Sequence, residues 1–174
     1  MNQNGETDMG LFDKFIKKPQ EIPAKEVLAA YAEGELISIK DVNDPTFAEE
    51  ILGKGVAIIP AEGEVYAPVD GTVTMLFDTL HAIALTTAMG QEVLLHIGLD
   101  TVELKGEYFR ANVKVGQKVK AGDLLISFDR EKIQEKGYDT VIPMLVTNRE
   151  EFSGFQVEEP GSVKAGQTVM TVCK

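Results

Sequence analysis

The chain has no tryptophan, one cysteine and only two histidines in 174 residues. A single cysteine, Cys173, excludes any disulfide within the chain and suits a reducing, cytoplasmic setting. Its place in the run Thr168–Cys173 reads as a strand position. Basic residues are scarce as well: 17 Lys and Arg against 28 Asp and Glu leave a net charge of −11. That balance argues against a binder of nucleic-acid phosphates and favours basic partners. No apolar run approaches the length of a bilayer span, so no transmembrane helix is expected. The polar start Met1–Asp8 does not read as a secretory signal.

What is present is a chain that is 44% hydrophobic with sixteen glycines, enough for one core built from short elements joined by tight turns. Residues 9–18 place Leu11, Phe12, Phe15 and Ile16 on one helical face among lysines. The pattern fits weak peripheral membrane contact, and equally a frayed tail. Ala24–Ala32 has helix propensity. From Gly34 onward short strands are expected at 35–39, 56–59, 64–67, 72–77, 81–87, 92–97, 110–114, 124–128, 141–146 and 168–173. Pro45–Leu52 reads as a short helix capped by Asp44, with further helical turns at Thr101–Lys105 and Arg130–Lys136. Many short strands punctuated by Gly and Pro predict an all-β, antiparallel sandwich or barrel with a few short helices. A repeat supports it. Val115–Ile126 recurs as Pro160–Met170, each copy a turn, a Val-Lys-Ala-Gly element and an apolar strand, and Ala67–Val73 is a looser third version.

The histidines, His81 and His96, flank one hairpin. Pivoting it between Ala88 and Met89 sets the two opposite each other on one face, and a slip of one residue would separate them. Three readings compete. Each histidine can be an inert, hydrogen-bonded strand residue. Together they can bind zinc, with Cys173, Glu92 or Asp100 as the only further ligand candidates and no HxH or HExxH spacing. Or they can handle a phosphoryl group, one imidazole attacking phosphorus while the other donates to its oxygens. The third reading needs the attacking ring pinned by a backbone carbonyl, which the turn His96-Ile97-Gly98 can supply. Thr79 can orient His81, and Phe77, Ile83, Leu85 and Leu94 are expected around them as an apolar collar.

Ala67-Pro68-Val69-Asp70-Gly71-Thr72, Thr79-x-His81 and above all His96-Ile97-Gly98-Leu99-Asp100-Thr101-Val102-Glu103-Leu104-Lys105-Gly106 resemble the glucose-family IIA component of the bacterial phosphoenolpyruvate-dependent sugar phosphotransferase system. The resemblance covers roughly Gly34 to the C-terminus. Met9–Lys14 is similar to the start of stand-alone members, which makes residues 1–8 an extension or an alternative start. The resemblance implies a β-sandwich of the duplicated hybrid-motif type and a first strand at 26–32 instead of a helix. It divides the chain into a flexible tail, 1–25, and a phosphocarrier domain, 26–174.

It further implies a transferase component of the cytoplasm with no cofactor. Such a component takes a phosphoryl group from the histidine phosphocarrier HPr and passes it to a cysteine of a glucose-type IIB domain. His96 then matches the phosphoacceptor, His81 the stabiliser of the phosphoryl group, and Thr79 and Gly98 the orienting positions. Asp44, Phe47, Phe77, Asp100 and Val102 match the docking rim, with Ile83 and Leu94 standing where some relatives carry phenylalanine. No metal is needed, though the two imidazoles could take up zinc adventitiously. Two other readings remain. The Ala-Pro-x-x-Gly-Thr turn also resembles biotinyl and lipoyl carriers, but the hairpin tip has no Met-Lys-Met-like triplet. A regulatory binder could use the same acidic, apolar-centred face, with partners chosen by phosphorylation state.

Overall fold

The computed structural model describes residues 22–174; the tail residues 1–21, including the amphipathic stretch 9–18, lie outside the described residues. The strands are β1 (Lys25–Ala29), β2 (Gly34–Ser38), β3 (Lys54–Pro60), β4 (Glu64–Tyr66), β5 (Gly71–Leu76), β6 (Ala82–Thr86) and β7 (Glu92–His96) in the first half. The second half supplies β8 (Phe109–Ala111), β9 (Lys118–Val119), β10 (Leu124–Phe128), β11 (Ile142–Val146), β12 (Gly154–Val157), β13 (Gly161–Val163) and β14 (Thr168–Cys173). Two short α-helices join them, α1 (Pro45–Ala48) and α2 (Arg130–Glu135). Residues 25–29 are a strand despite their helix propensity, because pairing with β14 buries Leu28. The strands at 118–119, 154–157 and 161–163 escaped the sequence reading. They are two to four residues long, and two of them open on a glycine, Gly154 and Gly161, which leaves too few side chains for alternation to show.

The architecture is an antiparallel β-sandwich. One eight-stranded sheet runs β13-β2-β3-β11-β7-β6-β5-β9, and two three-stranded sheets, β1-β14-β12 and β4-β10-β8, complete it. Alternation divides the large sheet into two faces. Val56, Ile58, Ile83, Leu85, Leu95 and Met144 point into the main core, where they meet Leu28, Leu125 and Val172 of the small sheets. Ala57 and Leu145 point outward into a second cluster with Ile39, Val42, Phe47, Leu99 and Val141, against which Leu94 packs. Strand β11 is buried along its whole length because it serves both cores, which explains its unbroken apolar run.

The repeat is a physical duplication. Lys120-Ala121-Gly122-Asp123 and Lys164-Ala165-Gly166-Gln167 form the same turn, each glycine at φ +93°, where an L-residue is strained. In each, the lysine N–H donates to the side chain of the fourth residue. Each turn grips an alanine: Ala67 N–H donates to Asp123 O at 2.8 Å, and Ala30 N–H donates to Gln167 O at 2.6 Å. Ala30-Tyr31-Ala32-Glu33-Gly34 is thus the structural partner of Ala67-Pro68-Val69-Asp70-Gly71, a copy the sequence alone had not disclosed.

Candidate functional site

His96 ends β7 on the outer face of the large sheet, because it alternates with the inward Leu95. The hairpin pivots on Met89 and not between Ala88 and Met89, a slip of one residue in register. Thr87 N–H donates to Gln91 O, three residues (88–90) form the loop, and Gly90 takes φ +87°. Ala82, not His81, therefore stands opposite His96. Regular alternation from that register would turn His81 toward the core. It does not, because His81 precedes β6 in a bend made by Leu80 in the left-handed region at φ +57°. The two rings meet with centroids 5.0 Å apart and planes at 83°. The backbones are joined as well, Ile97 N–H donating to His81 O at 2.7 Å.

The slip corrects two residues of the expected collar. Ile83 and Leu85 are fully buried in the main core and cannot meet a partner. Phe47 is also buried: α1, whose N-cap Asp44 accepts from Thr46 N–H at 2.9 Å, seats it under His96 with ring centroids 5.0 Å apart. It supports the imidazole and is not rim surface. Phe77, 38% exposed, lies edge-on to His81 at 5.2 Å. Val102 and Asp100 are exposed, while Asp44 and Leu94 are half-buried. Sequence reasoning missed Met75, 48% exposed. A bulge between Val73 and Met75 sets it opposite Ala84 and so on the His96 face, and bulges leave no reliable sequence mark.

Hydrogen bonds decide what each ring can do. His96 Nδ1 lies 2.8 Å from Gly98 O, and a carbonyl can only accept, so Nδ1 carries the proton and Nε2 keeps its lone pair. Gly98 can turn its carbonyl back because it sits at φ +79°; an added Cβ would lie 2.5 Å from Thr101 Cγ2 and 2.8 Å from Asp139 O. His81 Nδ1 lies 2.7 Å from Thr79 Oγ1. If that hydroxyl donates, Nε2 of His81 is left as an N–H donor. Burial, helped by neighbouring His96, pushes His81 down to about 4. Burial also holds His96 below the ordinary imidazole value, opposed by the Gly98 carbonyl and by the carboxylates of Asp44 and Asp100. Both rings are neutral near pH 7. Among the described residues no group of three or more His, Cys, Asp or Glu is arranged to hold a metal, and Cys173 lies apart on β14.

The fold and the paired neutral imidazoles define a β-sandwich with one nucleophilic ring nitrogen near its surface. The family model for the phosphoenolpyruvate-dependent sugar phosphotransferase system, EIIA 1, matches residues 26–152. A glucose-specific EIIA component of the same system from Halalkalibacterium halodurans is 44% identical over 162 residues, 93% of this chain and 94% of that one. A β-glucoside-specific EIIBCA component from Bacillus subtilis is 44% identical over 149 residues, which are 86% of this chain but 24% of that longer protein. Among solved structures, glucose permease IIA from Mycoplasma capricolum superposes with TM-score 0.79 at 33% identity, covering 87% of this chain and 98% of that one. The chain belongs to the EIIA 1 family of the sugar phosphotransferase system and is a phosphocarrier component of sugar uptake. No helix among the described residues is long and apolar enough to cross a membrane.

Proposed function

We propose that His96 is the phosphoacceptor and that His81 holds the phosphoryl group in transit. The observation that carries this is the bond from His96 Nδ1 to Gly98 O, which commits the lone pair to Nε2 beside the second imidazole. In the accepting step Nε2 attacks phosphorus in phospho-HPr. A new N–P bond forms, the donor's N–P bond breaks, and that electron pair returns to the donor's ring. The Nδ1–H to carbonyl bond steadies the positive charge that develops on the His96 ring. His81, neutral at pH 7, donates from Nε2 to a phosphoryl oxygen while Thr79 fixes its ring. In the donating step the thiolate of a cysteine in a glucose-type IIB domain takes the phosphoryl group, forming S–P as N–P breaks. The reaction class is phosphoryl transfer through a transient phosphohistidine, with no cofactor, in the cytoplasm.

Phe77, Val102 and Met75 provide apolar contact area around the rings, and Asp44 and Asp100 provide charge for a basic partner surface. Phosphorylation adds about −1.5 to −2 charge between those two carboxylates, so the loaded and empty forms present different faces to regulatory targets. The test is labelling from phosphoenolpyruvate with the first enzyme of the system and HPr. Wild type should take up one acid-labile, base-stable phosphate and His96→Ala none. Undiminished labelling of His96→Ala would overturn the assignment. His81→Ala should be labelled but pass phosphate to a IIB domain far more slowly.

A further inference from the structure

Two consecutive peptide planes beside His96 are held at both ends. In the plane joining Ile97 and Gly98, the Ile97 carbonyl accepts from the Thr101 hydroxyl and the Gly98 N–H donates to Val141 O at 2.8 Å. In the next, the Gly98 carbonyl faces His96 Nδ1 and the Leu99 N–H donates to Asp139 O at 3.0 Å. Two of these four restraints engage backbone alone, and a third is the His96 ring itself. The fourth is a single side chain, Thr101, which is fully buried, as is Ile97. Its methyl also closes on Gly98, at 2.5 Å from where a Cβ would stand.

We propose that Thr101 is a positioning residue for phosphoryl transfer, acting through the Ile97–Gly98 peptide to keep the Gly98 carbonyl aimed at His96 Nδ1. This rests on the reading of His96 as phosphoacceptor. Thr101 begins the 3₁₀ turn Thr101–Leu104, entered through Asp100 in the left-handed region at φ +59°, so its hydroxyl points back along the chain it restrains. Without that hydroxyl the Ile97 carbonyl is buried and unpaired, and the plane can swing to find another donor. The Gly98 carbonyl moves with it, and the His96 proton is no longer confined to Nδ1. A ring protonated on Nε2 has no lone pair there with which to attack phosphorus.

The experiment uses the full chain and two readouts, ¹⁵N shifts of the His96 ring and the labelling rate from phospho-HPr. Thr101→Val matches the shape without the hydroxyl. It is expected to move the His96 shifts toward a mixture of tautomers and to slow labelling by about 10-fold or more. Thr101→Ser should retain the wild-type shifts and most of the rate. A folded Thr101→Val with wild-type shifts and rate overturns the proposal. If Thr101→Val does not fold, Thr101→Ser and Thr101→Ala form the second pair. Retention by Ser with loss by Ala supports the proposal, and equal shifts in the two overturn it. The shifts judge Thr101 even if labelling shows that His96 is not the acceptor.

Discussion

His81 and His96 are both held below the ordinary imidazole range, and for both burial is the leading cause. For His81 the consequence for stability has a definite sign. Its folded value is about 4, whereas an unfolded chain titrates near 6.5. Between those values the unfolded state binds more protons, so stability falls as pH drops from about 6.5 to about 4 and is unaffected by this group above that window. Thermal melts across pH 4–7 should show the acid loss in wild type and a shallower loss in His81→Gln. Gly98 is equally exposed to test. Gly98→Ala must place its Cβ against Thr101 and Asp139 O at positive φ, and should cost about 1–3 kcal/mol in stability together with labelling activity. Both histidines, Thr79 and Gly98 were legible as a set because their motif is local. Thr101 stood in the same motif, but its part depends on which carbonyl its hydroxyl reaches, and that needs the fold.

The β6–β7 hairpin shows where reading by element stops. Ala88-Met89-Gly90 is compatible with either of two pivots, and the choice is made from far away. One carboxylate oxygen of Glu26, on β1, accepts from Thr87 Oγ1 at 2.6 Å, from Met89 N–H at 3.1 Å and from Gln91 Nε2 at 3.2 Å. This clamp, together with burial of Met89, fits the three-residue loop and sends Ile83 and Leu85 inward. Glu26→Ala removes the shared acceptor from three donors and should lower stability by about 2–4 kcal/mol in denaturant titrations. A change under about 0.5 kcal/mol would mean that the loop holds its register unaided. Most strands of the large sheet were legible from alternation and turn chemistry. The edge pieces β9, β12 and β13 were not, since two to four residues carry too little pattern.

Across the whole molecule, a sandwich of short strands was legible from composition and the later repeat. The pairing of Ala30–Gly34 with Ala67–Gly71 was not, because the copies share only alanine, an acid and glycine at fixed spacing. Tertiary hydrogen bonds to Gln167 and Asp123 reveal it. The net charge of −11 acts at the same scale. Association with a basic phosphocarrier should be steered by the long-range field and should slow on the order of 10-fold between about 0.05 and 0.5 M salt, as stopped-flow mixing would show. A rate that ignores salt would confine the acidic surface to a role in solubility.

The doubly anchored peptides behind His96 have a thermodynamic corollary. Dipoles frozen in place before the phosphoryl group arrives lower one barrier, and that barrier is crossed in both directions. Whatever a scaffold of this kind takes off that barrier favours passage either way, and it leaves the overall equilibrium between the proteins on either side untouched. It behaves as a frictionless bearing and not as a ratchet. Net flow toward sugar is then dictated by the group-transfer potentials of the proteins on either side.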